Sequence, residues 1–137
     1  MKRNAKAVWN GSIKEGAGTF GTGSGAIANQ KYSFLTRFEN APGTNPEELI
    51  AAAHASCFSM ALSAQLGERG ITPQAIETTS TITFENKALT QSALLTKVTA
   101  AGADKKKVEE AAAAAKAGCP ISKVLNLEVT LQLELAG

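Results

Sequence analysis

The chain has 137 residues, of which 44% are hydrophobic and 19% charged, and a formal net charge of +2. This length predicts a single domain, residues 1–137, with enough apolar material for a core. The small net charge argues against nucleic-acid binding. No apolar run follows the basic start MKRNAKAVWNG, and no segment reaches about 18 uninterrupted apolar residues. We therefore expect a cytoplasmic protein with no nucleic-acid or membrane partner.

The first third of the chain is typical of short strands joined by turns. Residues 4–36 are rich in glycine and serine, and the segment 32–38, YSFLTRF, alternates loosely with period two, which predicts a strand. The glycines suit hairpin turns and bulges. They do not stand between a strand and a helix, as the glycines of a phosphate-binding loop do.

A long helix is predicted from Pro46 to about Leu66. Asn45 is a favourable N-cap, and Glu48 stands three residues later, at the spacing of a capping box. The helix has almost no continuous polar stripe, and a helix that is apolar on all sides is buried on all sides. We expect a second copy of the chain to cover part of it in a symmetric dimer. The alternative is cover by the chain's own sheet and second helix.

The remaining sequence alternates between strand and helix patterns. The last helix pattern is followed by a Gly-Cys-Pro junction, where the proline can open a short helical turn. These patterns predict an α+β fold with antiparallel sheets around a long buried central helix. The predicted elements are strands 75–86 and 91–101, a helix from Asp104 to Ala117, and a last strand 126–135.

Two cysteines are the strongest clue to function. In a cytoplasmic protein such a pair is more often catalytic, redox-sensing or simply buried than a structural disulfide. Cys57 lies inside the long helix, where burial would raise its pKa above the usual value of about 8.5, so a reactive thiolate needs a cation from elsewhere. Cys119 precedes a fresh helix start, whose N–H groups favour a thiolate; the alternative is a small buried hydrophobe.

Arg37 is the best candidate for that cation, because it follows the apolar segment YSFLT. The alternative is an ordinary strand-edge arginine paired with Glu39. Glu47, unlike its neighbour, has no capping task. It stands ten residues before Cys57, about 15 Å along the helix axis, too far to touch the sulfur but able to orient Arg37. The alternative for Glu47 is favourable placement at the positive end of the helix dipole.

His54, the only histidine, stands one helical turn before Cys57. It could act as a base in a Cys–His pair, or bind a metal together with Cys119. A structural metal site normally needs four ligands, whereas one histidine and two cysteines give three. We expect a hydrogen-bonded helix histidine instead.

Two segments, TRFENAPGTNPEELIAAAHASCFSMAL and KAGCPISKVL, resemble the motifs of the osmotically inducible protein C (OsmC) and organic hydroperoxide resistance family. The resemblance covers nearly the whole chain and is closer to the OsmC branch. It implies a homodimer of intertwined α+β subunits with sites at the interface. It also implies that Cys57 is the peroxidatic and Cys119 the resolving cysteine, with Arg37 and Glu47 as the family's arginine and glutamate.

The resemblance thus implies an antioxidant, stress-response peroxidase that reduces organic hydroperoxides to alcohols through a Cys57 sulfenic acid and a Cys57–Cys119 disulfide. A thiol reductant, either a small dithiol or a lipoylated protein, reopens the disulfide, and no metal, haem or flavin is required. Small residues beside Cys57 leave room for an apolar peroxide. The alternatives are a dimeric redox sensor, or an apolar-ligand-binding dimer with inert cysteines. The expected pocket residues are Ala53, Ala61, Ile50, Phe58 and Met60.

Overall fold

The computed structural model describes all 137 residues, which form two compact units, 1–49 and 50–137. Each unit contains its own three-stranded sheet, so the α+β class is confirmed, while the single-domain expectation stays a prediction. The strands are β1 (Ala5–Asn10), β2 (Ala17–Thr22), β3 (Gln30–Tyr32), β4 (Ala75–Glu85), β5 (Ala88–Thr99) and β6 (Glu128–Ala136). The helices are α1 (Phe34–Phe38), α2 (Pro46–Glu68), α3 (Lys105–Gly118) and α4 (Pro120–Val124).

The sheet of the first unit is an antiparallel meander in the order β1-β2-β3. Gly18 in β2 is required there, because a Cβ at this position would lie 2.6 Å from ring atoms of both Trp9 and Tyr32. The two rings instead pack with their centroids 5.5 Å apart. The glycine-rich stretch therefore supports aromatic packing within a strand as well as the turns.

The predicted strand over residues 32–38 is wrong, because Phe34–Phe38 forms the short helix α1. The Oγ of Ser33 accepts a hydrogen bond from the Thr36 N–H at 3.3 Å, and Thr36 Oγ1 accepts one from the Ser33 N–H at 2.9 Å. This reciprocal capping box satisfies two backbone donors locally and outweighs the loose period-two pattern. Arg37 consequently lies in the last turn of a helix and not at the end of a strand.

The start of α2 agrees with the predicted cap at Asn45. Its Oδ1 accepts a hydrogen bond from the Glu48 N–H at 2.8 Å. The second half of the capping box is absent, because the Glu48 carboxylate accepts the Thr44 hydroxyl at 2.8 Å instead. Asn45 uses its amide group to donate to the Thr36 carbonyl at 3.1 Å, which ties the start of α2 to α1.

The sheet of the second unit has the order β4-β5-β6. β4 and β5 form the predicted antiparallel hairpin, and its two turn residues, Asn86 and Lys87, have φ of 50° and 62°, as a type I′ turn requires. β6 pairs with β5 in parallel, with Leu94 opposite Leu131. The expectation of purely antiparallel sheets is wrong here, because α3 and α4 form a crossover that returns the chain to the same end of the sheet.

One stripe of α2 faces the core of the second unit. It carries His54, Phe58, Leu62 and Leu66 at four-residue spacing, all fully buried. α2 is long and apolar enough to cross a membrane, with a mean hydropathy of 1.4 over 18 residues. Within this chain its Phe58, Leu62 and Leu66 pack in a cluster with residues of β5 and α3. Other faces remain open, since Met60 is 76% exposed. The dimer that would cover them stays a prediction.

The alternation along β5 gives a matched test of this core. Leu94 is 2% exposed and its neighbour Leu95 is 49% exposed. We expect Leu94→Ala to lower the free energy of unfolding by about 2–5 kcal/mol, since it leaves a core cavity. Leu95→Ala should cost less than about 1 kcal/mol. Denaturant unfolding of both variants measures the difference, and equal losses would contradict the register of β5.

Candidate active site

The structure brings the two cysteines together. Cys57 lies about three turns into α2, and Cys119 lies at the junction of α3 and α4. Their Sγ atoms are 3.1 Å apart and share one hydrogen bond. Cys119 is fully buried, whereas Cys57 is only half-buried. The pair therefore has one sulfur open to a reactant and a second sulfur protected behind it.

The backbone of Cys119 is fixed on both sides. Its N–H donates to the Ala115 carbonyl at 2.8 Å and closes α3, while its own carbonyl accepts the Lys123 N–H at 3.1 Å and opens α4. Pro120 follows as the first residue of α4, where its fixed φ suits a helix start and its missing N–H is not needed. The Gly-Cys-Pro sequence thus holds the thiol at a rigid corner.

The environment shifts the pKa values of the two cysteines in opposite directions. Burial raises the pKa of the Cys57 thiol, the Ile121 N–H partly offsets this, and Cys119 adds to the rise. Burial also acts to raise the pKa of Cys119, but the N–H and hydroxyl of Ser122, the Ile121 N–H and the bond with Cys57 together outweigh it and lower the pKa. Both directions agree with the sequence-based expectations for burial at Cys57 and for a favoured thiolate at the α4 start.

An open groove of about 580 Å³ borders Cys57. Ala53, Ala61 and Met60 line it as predicted, together with Pro120 and Ile121 of α4. The prediction that Phe58 and Ile50 line this groove is wrong. Phe58 is turned by about 100° from Cys57 around the helix and is fully buried in the core, and the groove does not extend to Ile50. The groove walls are apolar except for Ser56 and the Cys57 sulfur.

Arg37 and Glu47 form an ion pair in the first unit. Arg37 Nη2 lies 2.8 Å from Glu47 Oε1, and Arg37 Nε lies 3.0 Å from the same oxygen and 3.3 Å from Oε2. The Glu47 side chain is 14% exposed and that of Arg37 is 36% exposed. Two guanidinium nitrogens bonded to one carboxylate restrict the orientation of the guanidinium, and its Cζ lies 5.0 Å from the centre of the Phe38 ring.

His54 is a buried, hydrogen-bonded histidine, as expected. Its Nδ1 lies 2.6 Å from Ser92 Oγ and its Nε2 lies 2.7 Å from Ser122 Oγ. Both ring nitrogens are therefore occupied, which leaves neither for a metal ion shared with Cys119. Burial lowers the pKa of the imidazole, so the ring is neutral near neutral pH.

Sequence reasoning missed Ser92 and Ser122, the two partners of His54. A signal for the first was present, because the inward positions of β5 are Ser92, Leu94, Thr96 and Val98, all buried. A polar side chain at an inward strand position must find a hydrogen-bond partner. Ser122 gave no comparable signal, because α4 is only five residues long and has no periodicity to interpret.

The sequence model of the OsmC family, described as OsmC-like protein, matches residues 38–134. The chain belongs to the OsmC family. It is 48% identical, over 98% of its own length and 97% of the relative's, to the Escherichia coli (strain K12) protein named Peroxiredoxin OsmC. The matched range contains Glu47, His54, Cys57 and Cys119, and begins one residue after Arg37.

Solved structures agree with the OsmC fold. The organic hydroperoxide resistance protein OhrB of Bacillus subtilis matches 96% of this chain and 97% of its own, with a TM-score of 0.65 and 26% identity. The OsmC-like protein from Mycoplasma pneumoniae matches 100% of this chain and 99% of its own, with a TM-score of 0.77 and 14% identity. At 14% identity, the match to the Mycoplasma pneumoniae protein shows only that the two chains share a fold.

The buried imidazole predicts a pH-dependent stability. Because burial lowers the pKa of His54 in the folded state, the unfolded chain binds more protons once the pH falls below the ordinary value of about 6.5. The free energy of unfolding should therefore fall as the pH is lowered through that value. In His54→Gln, which cannot titrate, this component should be absent. A difference between wild type and variant that stays constant from neutral to mildly acidic pH would contradict it.

Proposed function

We propose that this protein is a thiol-dependent peroxidase that reduces organic hydroperoxides to alcohols. The observation that carries the proposal is the pair of sulfur atoms 3.1 Å apart, with Cys57 at an apolar groove and Cys119 buried behind it. The name of the Escherichia coli relative, Peroxiredoxin OsmC, supports a peroxidase-type role. We further propose that the enzyme works in the cytoplasm.

In the first step the Cys57 thiolate attacks one peroxide oxygen. An S–O bond forms, the O–O bond breaks, and the alkoxide takes a proton and leaves as the alcohol, so that the sulfur is oxidised to a sulfenic acid and the peroxide is reduced. Burial disfavours this thiolate, so the step needs a positive charge. The proposed source is Arg37, held by Glu47, which stabilises both the thiolate and the charge that develops on the oxygens.

In the second step Cys119 resolves the sulfenic acid. Its thiolate attacks the Cys57 sulfur, an S–S bond forms, the S–O bond breaks, and hydroxide leaves and is protonated to water. The short distance between the sulfurs in the reduced pair supports an intramolecular disulfide, because little movement is needed to reach bonding distance.

In the third step a thiol reductant reopens the disulfide by thiol–disulfide exchange. The resemblance to the OsmC and organic hydroperoxide resistance family points to a small dithiol or a lipoylated protein as the electron donor. The cycle uses only the two sulfurs and the Arg37–Glu47 pair, with no step that calls for a metal, haem or flavin.

The proposed assembly is a homodimer of single OsmC-like domains. Its support is the apolar surface that α2 leaves open within one chain, where Met60 is 76% exposed beside exposed alanines at positions 52, 53 and 64. An apolar helix face of this kind is normally covered by another surface. Sedimentation of the purified protein gives the subunit count directly.

The two cysteines should have separable roles. Cys57→Ser should abolish consumption of cumene hydroperoxide, because the attacking sulfur is gone. Cys119→Ser should consume about one equivalent and then stop as a sulfenic or further oxidised acid, since no resolving thiol remains. Peroxide consumption with a dithiol reductant, followed by the mass of the product, checks both. Sustained turnover by Cys119→Ser would contradict the resolving role, and two slow thiols of ordinary reactivity in the wild type would favour an inert ligand-binding protein.

The apolar groove should make the enzyme selective. Each methylene buried in it contributes about 0.8 kcal/mol, so kcat/KM for cumene hydroperoxide should exceed that for hydrogen peroxide by at least about ten-fold. Ala61→Leu, which fills part of the groove, should lower the first value more than the second. Ala113→Leu, at an exposed position of α3, is the matched control. Equal or better activity with hydrogen peroxide would contradict the selectivity.

A further inference from the structure

Two contacts join α2 to the segment that carries Cys119. One is the sulfur pair, in which the Sγ atoms of Cys57 and Cys119 are 3.1 Å apart. The other joins His54 Nε2 to Ser122 Oγ at 2.7 Å. His54 stands three residues before Cys57, and Ser122 stands three residues after Cys119, a spacing that places side chains one helical turn apart. The two contacts are therefore neighbouring cross-links between α2 and the start of α4.

We propose that His54 is a positioning residue, which holds α4, and with it Cys119, within reach of Cys57 while the bonding of the sulfurs changes. Its role in the cycle rests on the proposed peroxidase function. Its effect on how closely the two thiols are held does not depend on that function.

The His54 end of the cross-link is fixed by the sheet of the second unit. The side chain is 0% exposed, and its Nδ1 lies 2.6 Å from Ser92 Oγ of the central strand β5. Ser92 Oγ in turn lies 2.9 Å from Ser80 Oγ of β4. A neutral imidazole has one donor and one acceptor nitrogen, and a hydroxyl meets each of them. A buried ring bonded at both nitrogens keeps one orientation, so Nε2 gives Ser122 a fixed partner.

Helix α4 has few other anchors. It is five residues long, and none of its residues is buried. Ile121 packs against the core while only partly buried, and Val124 is 72% exposed. A helix this short is not stable by itself. The position of α4 therefore depends on its junction with α3, on Ile121 and on the bond between Ser122 and His54.

The contact between the sulfurs does not persist through the cycle. The hydrogen bond between two thiols exists only in the reduced pair, and it is lost once an oxygen is added to the Cys57 sulfur. An S–S bond of about 2.05 Å replaces it only when the second step is complete. The bond between His54 and Ser122 contains no atom that changes its oxidation state. It can therefore hold α4 throughout the cycle, including the interval between the two sulfur contacts.

The interval is the point at which the enzyme is at risk of inactivation. A second hydroperoxide can transfer an oxygen to a sulfenic acid that has not yet reacted, which gives a sulfinic acid and an alcohol. A resolving thiol that is held nearby reacts sooner, because no search for the correct geometry is needed. His54 should thus favour the disulfide over the sulfinic acid at Cys57.

The test removes the cross-link from each end. Ser122→Ala removes the hydroxyl on α4. In His54→Asn the shorter side chain can reach only the place of Nδ1, whereas in His54→Gln the amide can reach the place of Nε2 and still bond Ser122. Ser59→Ala is the matched control, since the Ser59 hydroxyl of α2 bonds the Thr78 hydroxyl of β4 at 2.8 Å and does not lead to α4.

Stopped-flow oxidation by cumene hydroperoxide measures the two steps separately. Ser122→Ala and His54→Asn should form the disulfide about ten-fold more slowly, since one hydrogen bond is lost, and should accumulate more sulfinic acid. Sulfenic acid formation should change by less than about two-fold, because a thiol is only a weak donor to Cys57. His54→Gln and Ser59→Ala should resemble wild type.

The double variant with Ser122→Ala and His54→Asn should be no slower than either single variant, because both changes remove the same bond. Equal slowing of both steps, no slowing, or a double variant slowed by the product of the two single effects would overturn the proposal.

A second measurement separates this inference from the peroxidase proposal. The thiol pair is equilibrated with mixtures of reduced and oxidised dithiothreitol, without any peroxide. Ser122→Ala and His54→Asn should lower the equilibrium constant for the disulfide between Cys57 and Cys119 about ten-fold, which raises its reduction potential by about 30 mV. His54→Gln and Ser59→Ala should leave it in place. Unchanged constants in the first two variants overturn the inference even if the protein reduces peroxides, whereas lowered constants support it even if the protein does not.

Discussion

The contact between two sulfur atoms, 3.1 Å apart, is the feature on which the rest of this structure depends. It requires that a residue about three turns into α2 meet a residue at the corner between α3 and α4. The buried stripe of α2 and the buried alanines of α3, Ala111, Ala112 and Ala115, belong to one core cluster that holds both elements in place. Small side chains let helix α3 pack closely, so the alanine-rich sequence serves the site indirectly.

The burial of the two sulfurs opposes the ionisation of both thiols. The groups that offset this effect differ between the two cysteines. Cys119 receives its compensation locally, from backbone and hydroxyl donors of α4. Cys57 does not receive enough, which is why the proposed chemistry needs the guanidinium of Arg37, whose Nε and Nη2 both donate to the Glu47 carboxylate. Because the sulfurs are 3.1 Å apart, the ionisation of one thiol affects the pKa of the other.

The sequence predicted best what is decided locally. The caps at Asn45 and Asp104, the break at Gly118 and the β4–β5 hairpin depend on neighbours within a few residues, and the structure contains each of them. Sequence reasoning missed helix α1 because the apolar pattern of this segment also suits a strand. The helix depends on the capping box between Ser33 and Thr36. The parallel pairing of β6 and the partners of His54, which lie 38 and 68 residues away along the chain, depend on the crossover path, which no local pattern records.

The central claim is that Cys57 and Cys119 of one chain form a redox pair. Its most direct test is peptide mapping, without reductant, of protein treated with a single equivalent of an organic hydroperoxide. We expect one new species, a peptide pair joined through Cys57 and Cys119 within the same chain and cleaved by a dithiol. Disulfides between chains, or two thiols that remain free while peroxide is consumed, would contradict the account.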